Sequence, residues 1–278
     1  MRYKALLALW FIGVTTALGF VLSGCIGGGG AVAHQYAPKS RLTQWSNADW
    51  QQVLAEVVTP DGLVRYDALT ANAHGARDAL FRYVGSINQV SPENRPDLFP
   101  TDADKLAYYL NAYNALCMYG VLHKGLPSNV LLSGLFITTR FPVGGRETTL
   151  DALEKQHVRA AHDVRTHFAL CTMTKSSPPL RPEPYDSTRL DGQLADQGQR
   201  YLGDPRGVQQ VSPTKVRLSE LLTKFYPGDF MEAFTRATGQ RDLGLLDALR
   251  PLAGPDSPIQ TATEYETMSY DWSLNRAG

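Results

Sequence analysis

TDADKLAYYLNAYNALCMYGVLHKG, running from Thr101 to Gly125, is the stretch on which the fold turns. Leu106, Leu110, Tyr113 and Cys117 recur at steps of three and four residues, the spacing of one helical face. Thr101 is placed to cap that helix, and Asp102 and Asp104 put negative charge in its first turn, where the helix dipole favours it. Lys124 and Gly125 supply a C-terminal charge and a stop. No other long run beyond the N-terminal region is as apolar, so the segment predicts a core helix. Within it stand two amides, Asn111 and Asn114, one turn apart among aromatic and aliphatic neighbours. Asparagine is a mediocre helix former, and a buried amide needs hydrogen-bond partners. The pair is expected to hold something, either a loop or a ligand.

Upstream of this helix, SNADWQQVLAEVV offers Ser46 and Asp49 as a capping box. Asp61-Gly62 reads as a turn, LVRYDAL as a short extended segment, and residues 72–87 as a second helix. Downstream, LLSGLFITTRFPVGG is partly β-branched, and Gly144-Gly145 marks a turn before the helix TTLDALEKQHVRA. RTHFALCTM alternates like a strand, with Arg165, His167, Ala169 and Cys171 on one face and Thr166, Phe168, Leu170 and Thr172 on the other. Four prolines keep KSSPPLRPEPY irregular. A helix from Asp186 or Ser187 to Tyr201, a hairpin of GVQQV with TKVRL, and helices near 231–238 and 243–252 complete the reading. Helices outnumber short strands and do not alternate with them. The expected class is α+β, with helices packed around a small, mainly antiparallel sheet and the core helix at the centre.

The N-terminus addresses the compartment. Arg2 and Lys4 precede an apolar run from Ala5 to Leu22, followed by Ser23, Gly24 and Cys25, the layout of a signal peptide. LSGC resembles the bacterial lipoprotein box, so residues 1–24 are expected to be cleaved and Cys25 to carry acyl chains that hold the protein to the membrane. The resemblance to the usual lipoprotein sorting pattern, with Ile26 rather than Asp after that cysteine, implies the outer membrane, with the body facing the periplasm. Residues 25–40, opening on Gly27 to Gly30, read as a flexible tether, and 41–278 as one domain. Lysine plus arginine equal aspartate plus glutamate at 27 each, which gives no nucleic-acid signal. Beyond Cys25 only Cys117 and Cys171 remain, too few for a disulfide framework, although one bridge between them is compatible with an oxidising compartment. No metal or nucleotide motif occurs, so neither a metal nor a cofactor is expected.

Three separated stretches resemble the bacterial and plant family called domain of unknown function 547. YYLNAYNAL is similar to that family's Phe-Trp-Ile-Asn-x-Tyr-Asn-Ala-Leu helix, with Tyr109 in place of tryptophan. TLDALEKQHVR is similar to its Leu-Asp-x-Ile-Glu segment, and DVRTHFALCTMTKSSPPL to its Arg-x-His-Phe-Ala-Leu strand running into Ser-Cys-Pro-Pro. KFYPGDF and the terminal YDWSLN resemble later motifs. The resemblance implies an envelope location but no agreed activity. Ser177 stands where the family usually has cysteine before proline, and Thr172 replaces another frequent cysteine.

Within these motifs the polar residues suggest two kinds of pocket. In the catalytic one, His167 is a general base, Glu154 or an asparagine orients it, and Ser177 or Cys171 is the nucleophile of a hydrolase or acyl-transfer enzyme. In the other, Arg165, Arg159, Asn111 and Asn114 bind an anionic small molecule or a peptide partner without chemistry, or form a polar clamp inside a scaffold. The strand geometry predicts that Arg165, His167 and Glu154 line one cleft. Catalysis further requires Ser177 or Cys171 beside His167.

Overall fold

The computed structural model describes residues 42–278, so Cys25 and the expected signal peptide and tether lie outside the described residues. Three helices, α1 (Ala48–Val57), α2 (Tyr66–Thr70) and α3 (Ala76–Gln89), lead to the core helix α4 (Asp102–His123). Helix α1 buries Trp50, Val53, Leu54 and Val57, a single stripe, as the spacing requires. Its expected capping box does not form. Ser46 Oγ accepts only the Ala48 amide at 3.2 Å, while Asp49 is drawn to Arg82 on α3 at 2.6 and 3.0 Å.

The box that does form caps α4. Thr101 Oγ1 accepts from the Asp104 amide at 3.1 Å, and the Asp104 carboxylate accepts from the Thr101 amide at 3.0 Å. From Ala107 to Val121 every residue of α4 is buried, so the helix is enclosed on all sides rather than on one face. Gly120 makes room for this. A Cβ there would collide with Leu135 Cδ1 and press on the Phe141 ring.

Strands β1 (Phe141–Val143) and β2 (Arg146–Thr148) form a hairpin whose turn is the Gly144-Gly145 pair, at φ +57° and +79°. Helix α5 (Leu150–Leu153) follows and runs into a π-helical turn, Glu154–Val158, and a 3₁₀ turn, Arg159–Ala161. Next come α6 (Thr166–Ala169) and α7 (Leu190–Gly203). The expected hairpin is present as β3 (Val208–Gln210) and β4 (Lys215–Ser219), paired antiparallel. Strand β5 (Glu264–Met268) joins β4 in parallel, closing a three-stranded sheet, and helices α8 (Pro227–Thr238) and α9 (Leu245–Leu249) lie between them in sequence. The architecture is α+β, helices around small sheets, with α4 at the centre.

Two further expectations fail. LVRYDAL is not extended throughout: Val64 makes isolated bridges, but from Tyr66 the chain turns into α2. RTHFALCTM is not a strand: residues 166–169 make the single helical turn α6, and only from Leu170 does the backbone become extended (φ −89°, ψ 117°). Asp163 drives this. Its Oδ1 accepts from the Arg165 amide at 3.0 Å, and its carbonyl accepts from the Thr166 amide and hydroxyl at 3.1 and 2.7 Å. An aspartate that satisfies the following amides starts a helix, and the apolar alternation after it is too short to decide otherwise.

Apolar side chains collect in two clusters. The first surrounds α4 and takes in α1, α3, Leu150, Leu153 and Val158. The second holds Tyr201, Val216, Leu218, Phe230, Leu249 and Ile259. Helix α6 is at their seam, with Phe168 in the second cluster and Ala169, Leu170 and Cys171 in the first.

Candidate functional site

Asn111 and Asn114 hold loops. Asn111 Nδ2 donates to the Tyr185 carbonyl at 2.8 Å, and its Oδ1 accepts from the Tyr185 amide at 2.9 Å. Asn114 Nδ2 donates to the Ala169 carbonyl at 2.9 Å, and its Oδ1 accepts from the Cys171 amide at 2.8 Å. Each amide is spent on backbone, pairing with an extended segment much as a neighbouring strand would. Neither faces the cleft described below.

Ser177 and Cys171 are together, but in the interior. Their Oγ and Sγ lie 3.2 Å apart, and Ser177 Oγ donates to the Thr174 carbonyl at 2.9 Å. Each is 1% exposed. Asn275, which receives the Tyr66 hydroxyl at 2.8 Å, reaches Cys171 Sγ at 3.7 Å. Burial pushes the Cys171 thiol up, which disfavours the thiolate needed for attack. Cys117 and Cys171 are both free thiols.

His167 keeps different company. The turn of α6 presents its ring to α8, where Nε2 donates to Asp229 Oδ2 at 3.0 Å. Tyr226 stacks on the imidazole with centroids 3.8 Å apart, and Phe230 meets it edge-on at 5.7 Å. Asp229 is gripped from the other side by Arg159, whose Nε and Nη2 donate to it at 2.7–3.0 Å. The Arg159 guanidinium also sits 5.7 Å from the Tyr226 ring centroid. The Tyr226 hydroxyl donates to Glu154 Oε1 at 2.7 Å, so Glu154 joins the cluster through the phenol. Thus Glu154, Arg159 and His167 are assembled around Asp229 and Tyr226. Arg165 is not among them, since it lies off the face of a strand that does not exist. It chelates Asp163 and reaches Asp191 at 2.8 Å.

The two residues absent from the sequence reading, Tyr226 and Asp229, both belong to KFYPGDF. Pro227 occupies the first helical turn of α8, where its fixed φ suits a start, and Asp229 follows where the dipole favours an anion. That Pro-x-Asp start was the available signal.

The electrostatics follow from the neighbours. The hydrogen bond from His167, with the Arg159 charge behind it, holds the Asp229 carboxyl below its usual range. Burial outweighs the Tyr226 hydrogen bond at Glu154 and pushes that carboxyl up. A cleft of about 460 Å³ opens over the cluster, lined by Arg159, His162, Asp163, His167, Asp229 and Arg236 among others. Arg159 Nη1 makes no hydrogen bond among the described residues, so the guanidinium keeps a donor for a ligand. Among the described residues there is no group of three or more side chains suited to a metal, and no helix is long and apolar enough to cross a membrane.

A family model described as Protein of unknown function, DUF547, matches residues 99–202, from the approach to α4 through most of α7. No curated protein and no solved structure matches the chain. Asp229 and Tyr226 fall beyond the matched segment, whereas both asparagines, Glu154, Arg159, His167 and Ser177 fall inside it. The likeness of the chain to the DUF547 family rests on that segment.

Proposed function

We propose that this is a lipid-anchored protein of the bacterial cell envelope, held at the outer membrane and facing the periplasm, whose cleft over Arg159, His167 and Asp229 binds an anionic small molecule or the carboxylate end of a peptide. The observation that carries the choice of binding over acyl transfer is the separation of the groups. His167 Nε2 is committed to Asp229, while Ser177 and Cys171 hydrogen-bond each other at 1% exposure. A nucleophile in that position meets neither base nor substrate. The anion is supported by the spare donor of Arg159, a guanidinium already oriented by Asp229.

Isothermal titration of the full-length protein with the dipeptide Ala-Ala and with acetate tests this. Arg159→Ala is expected to weaken binding at least tenfold, and Ser177→Ala to leave it unchanged. Loss of function in Ser177→Ala or Cys171→Ala, with melting preserved, would return the covalent reading. A second reading, hydrolysis by an activated water, rests on the His167–Asp229 pair, because a carboxylate bonded to one ring nitrogen orients the imidazole as a base. It predicts ester or amide turnover that is lost in His167→Gln and kept in Ser177→Ala.

A further inference from the structure

A second cavity, about 400 Å³ and independent of the His167 cleft, lies where the chain enters the fold. Trp45 is partly exposed there and packs on Phe99 and Tyr108, which are 2% and 1% exposed. Trp45 meets Tyr108 at 4.9 Å and Phe99 at 5.7 Å between ring centroids, and Phe99 meets Tyr108 at 4.9 Å. The cavity rim carries three carboxylates, Asp97, Asp104 and Asp186, and among the described residues no lysine, arginine or histidine lines it. This is uneven for a chain whose charges balance at 27 each. Arg95 pairs with Asp97 from outside the lining, but Asp104 and Asp186 have no ion-pair partner among the described residues. Both are held below the usual carboxylate range, Asp104 by the hydroxyls of Ser187 and Thr101, and Asp186 by the Thr188 hydroxyl with the Arg189 charge behind it. The Asp186 contacts from Thr188 fall on Oδ1.

From the cavity, the ring cluster and the carboxylates together, we infer that this is a binding site for a small organic cation, an ammonium that places its charge by Asp104 and Asp186 and its carbon chain over Trp45. An aromatic face and a carboxylate both attract such a cation, and three carboxylates with no basic side chain among the described lining residues repel an anion. A neutral saccharide is the competing occupant, because the same rim accepts hydroxyls.

The probe is butane-1,4-diammonium, titrated calorimetrically into the full-length protein at low ionic strength. Saturable binding is expected, weakened at least tenfold by Asp186→Asn and by Trp45→Leu. It is also expected to weaken on adding 0.5 M salt, about as screening requires. Arg159→Ala, in the other cleft, should leave it unchanged, which keeps the outcome separate from that of the proposed function. Should either variant melt below the parent, Ser187→Lys supplies the remaining arm by placing a cation of the protein's own at the rim, and it should abolish binding. No saturable binding, binding that survives Asp186→Asn and Ser187→Lys, or displacement by neutral glucose would overturn the assignment.

Discussion

Among single side chains, Asp229 and Glu154 respond to pH with opposite signs although one tyrosine and one histidine separate them. The folded-state affinity of Asp229 for a proton is lowered by His167 first and by Arg159 next. Its charge therefore stabilises the fold above the ordinary aspartate range, about pH 4, and the contribution is lost as pH falls through the still lower folded value. Asp229→Asn should cost about 1.5–3 kcal/mol near neutrality, the range for hydrogen bonds to charged groups. The melting difference from the parent should hold steady down to about pH 5 and close below about pH 4. Glu154 is raised by burial, so its ionised form costs stability above the folded value, and the cost disappears as pH falls through it. Glu154→Gln should melt above the parent at pH 7.5, with Gln still accepting from Tyr226, and the advantage should vanish on acidification. A fixed offset at every pH in both variants would show that packing, not charge, controls them. At this scale the sequence disclosed His167, Arg159 and Glu154, because motif residues announce themselves by type. It concealed Asp229 and Tyr226, because more than 50 residues separate them from His167 and no local spacing links the two segments.

Among elements, α4 was legible, whereas α6 and the extended residues after it were not. A long apolar segment with a capping threonine has one reading. The segment after Arg165 had two, since a run this short fits a strand or a turn of helix. What makes Leu170 extended is Asn114, whose amide brackets it by bonding the Ala169 carbonyl and the Cys171 amide at 2.9 and 2.8 Å. The strand-like pattern is real for a few residues, but its partner is a side chain on a helix. Asn114→Leu would leave two buried backbone groups without their partner, at about 1–3 kcal/mol each. For a body of this size that is a fall in melting temperature of about 4–24 °C. Asn111→Leu should act alike through Tyr185, and Asn114→Asp, which keeps an acceptor for Cys171, should recover part of the loss. Unchanged melting in both leucine variants would mean that neither loop depends on α4.

For the whole molecule, attachment at the membrane is the remaining prediction, and it concerns a residue outside the described body. That body begins at Leu42, whose carbonyl accepts from Arg95 at 2.6 Å, and Trp45 packs nearby on Phe99 and Tyr108. The chain thus enters at the N-terminal end of α4, where Thr101 caps it. Acyl chains contribute about 0.8 kcal/mol per buried methylene, and more than one chain makes the attachment lasting. Cys25→Ser should therefore lack acyl mass and leave the detergent-rich phase in a phase-partition assay, with the parent remaining in it. A variant that still partitions and retains the mass of residues 1–24 would show that Ala5–Leu22 is an uncut membrane segment, and the lipid anchor would have to be abandoned.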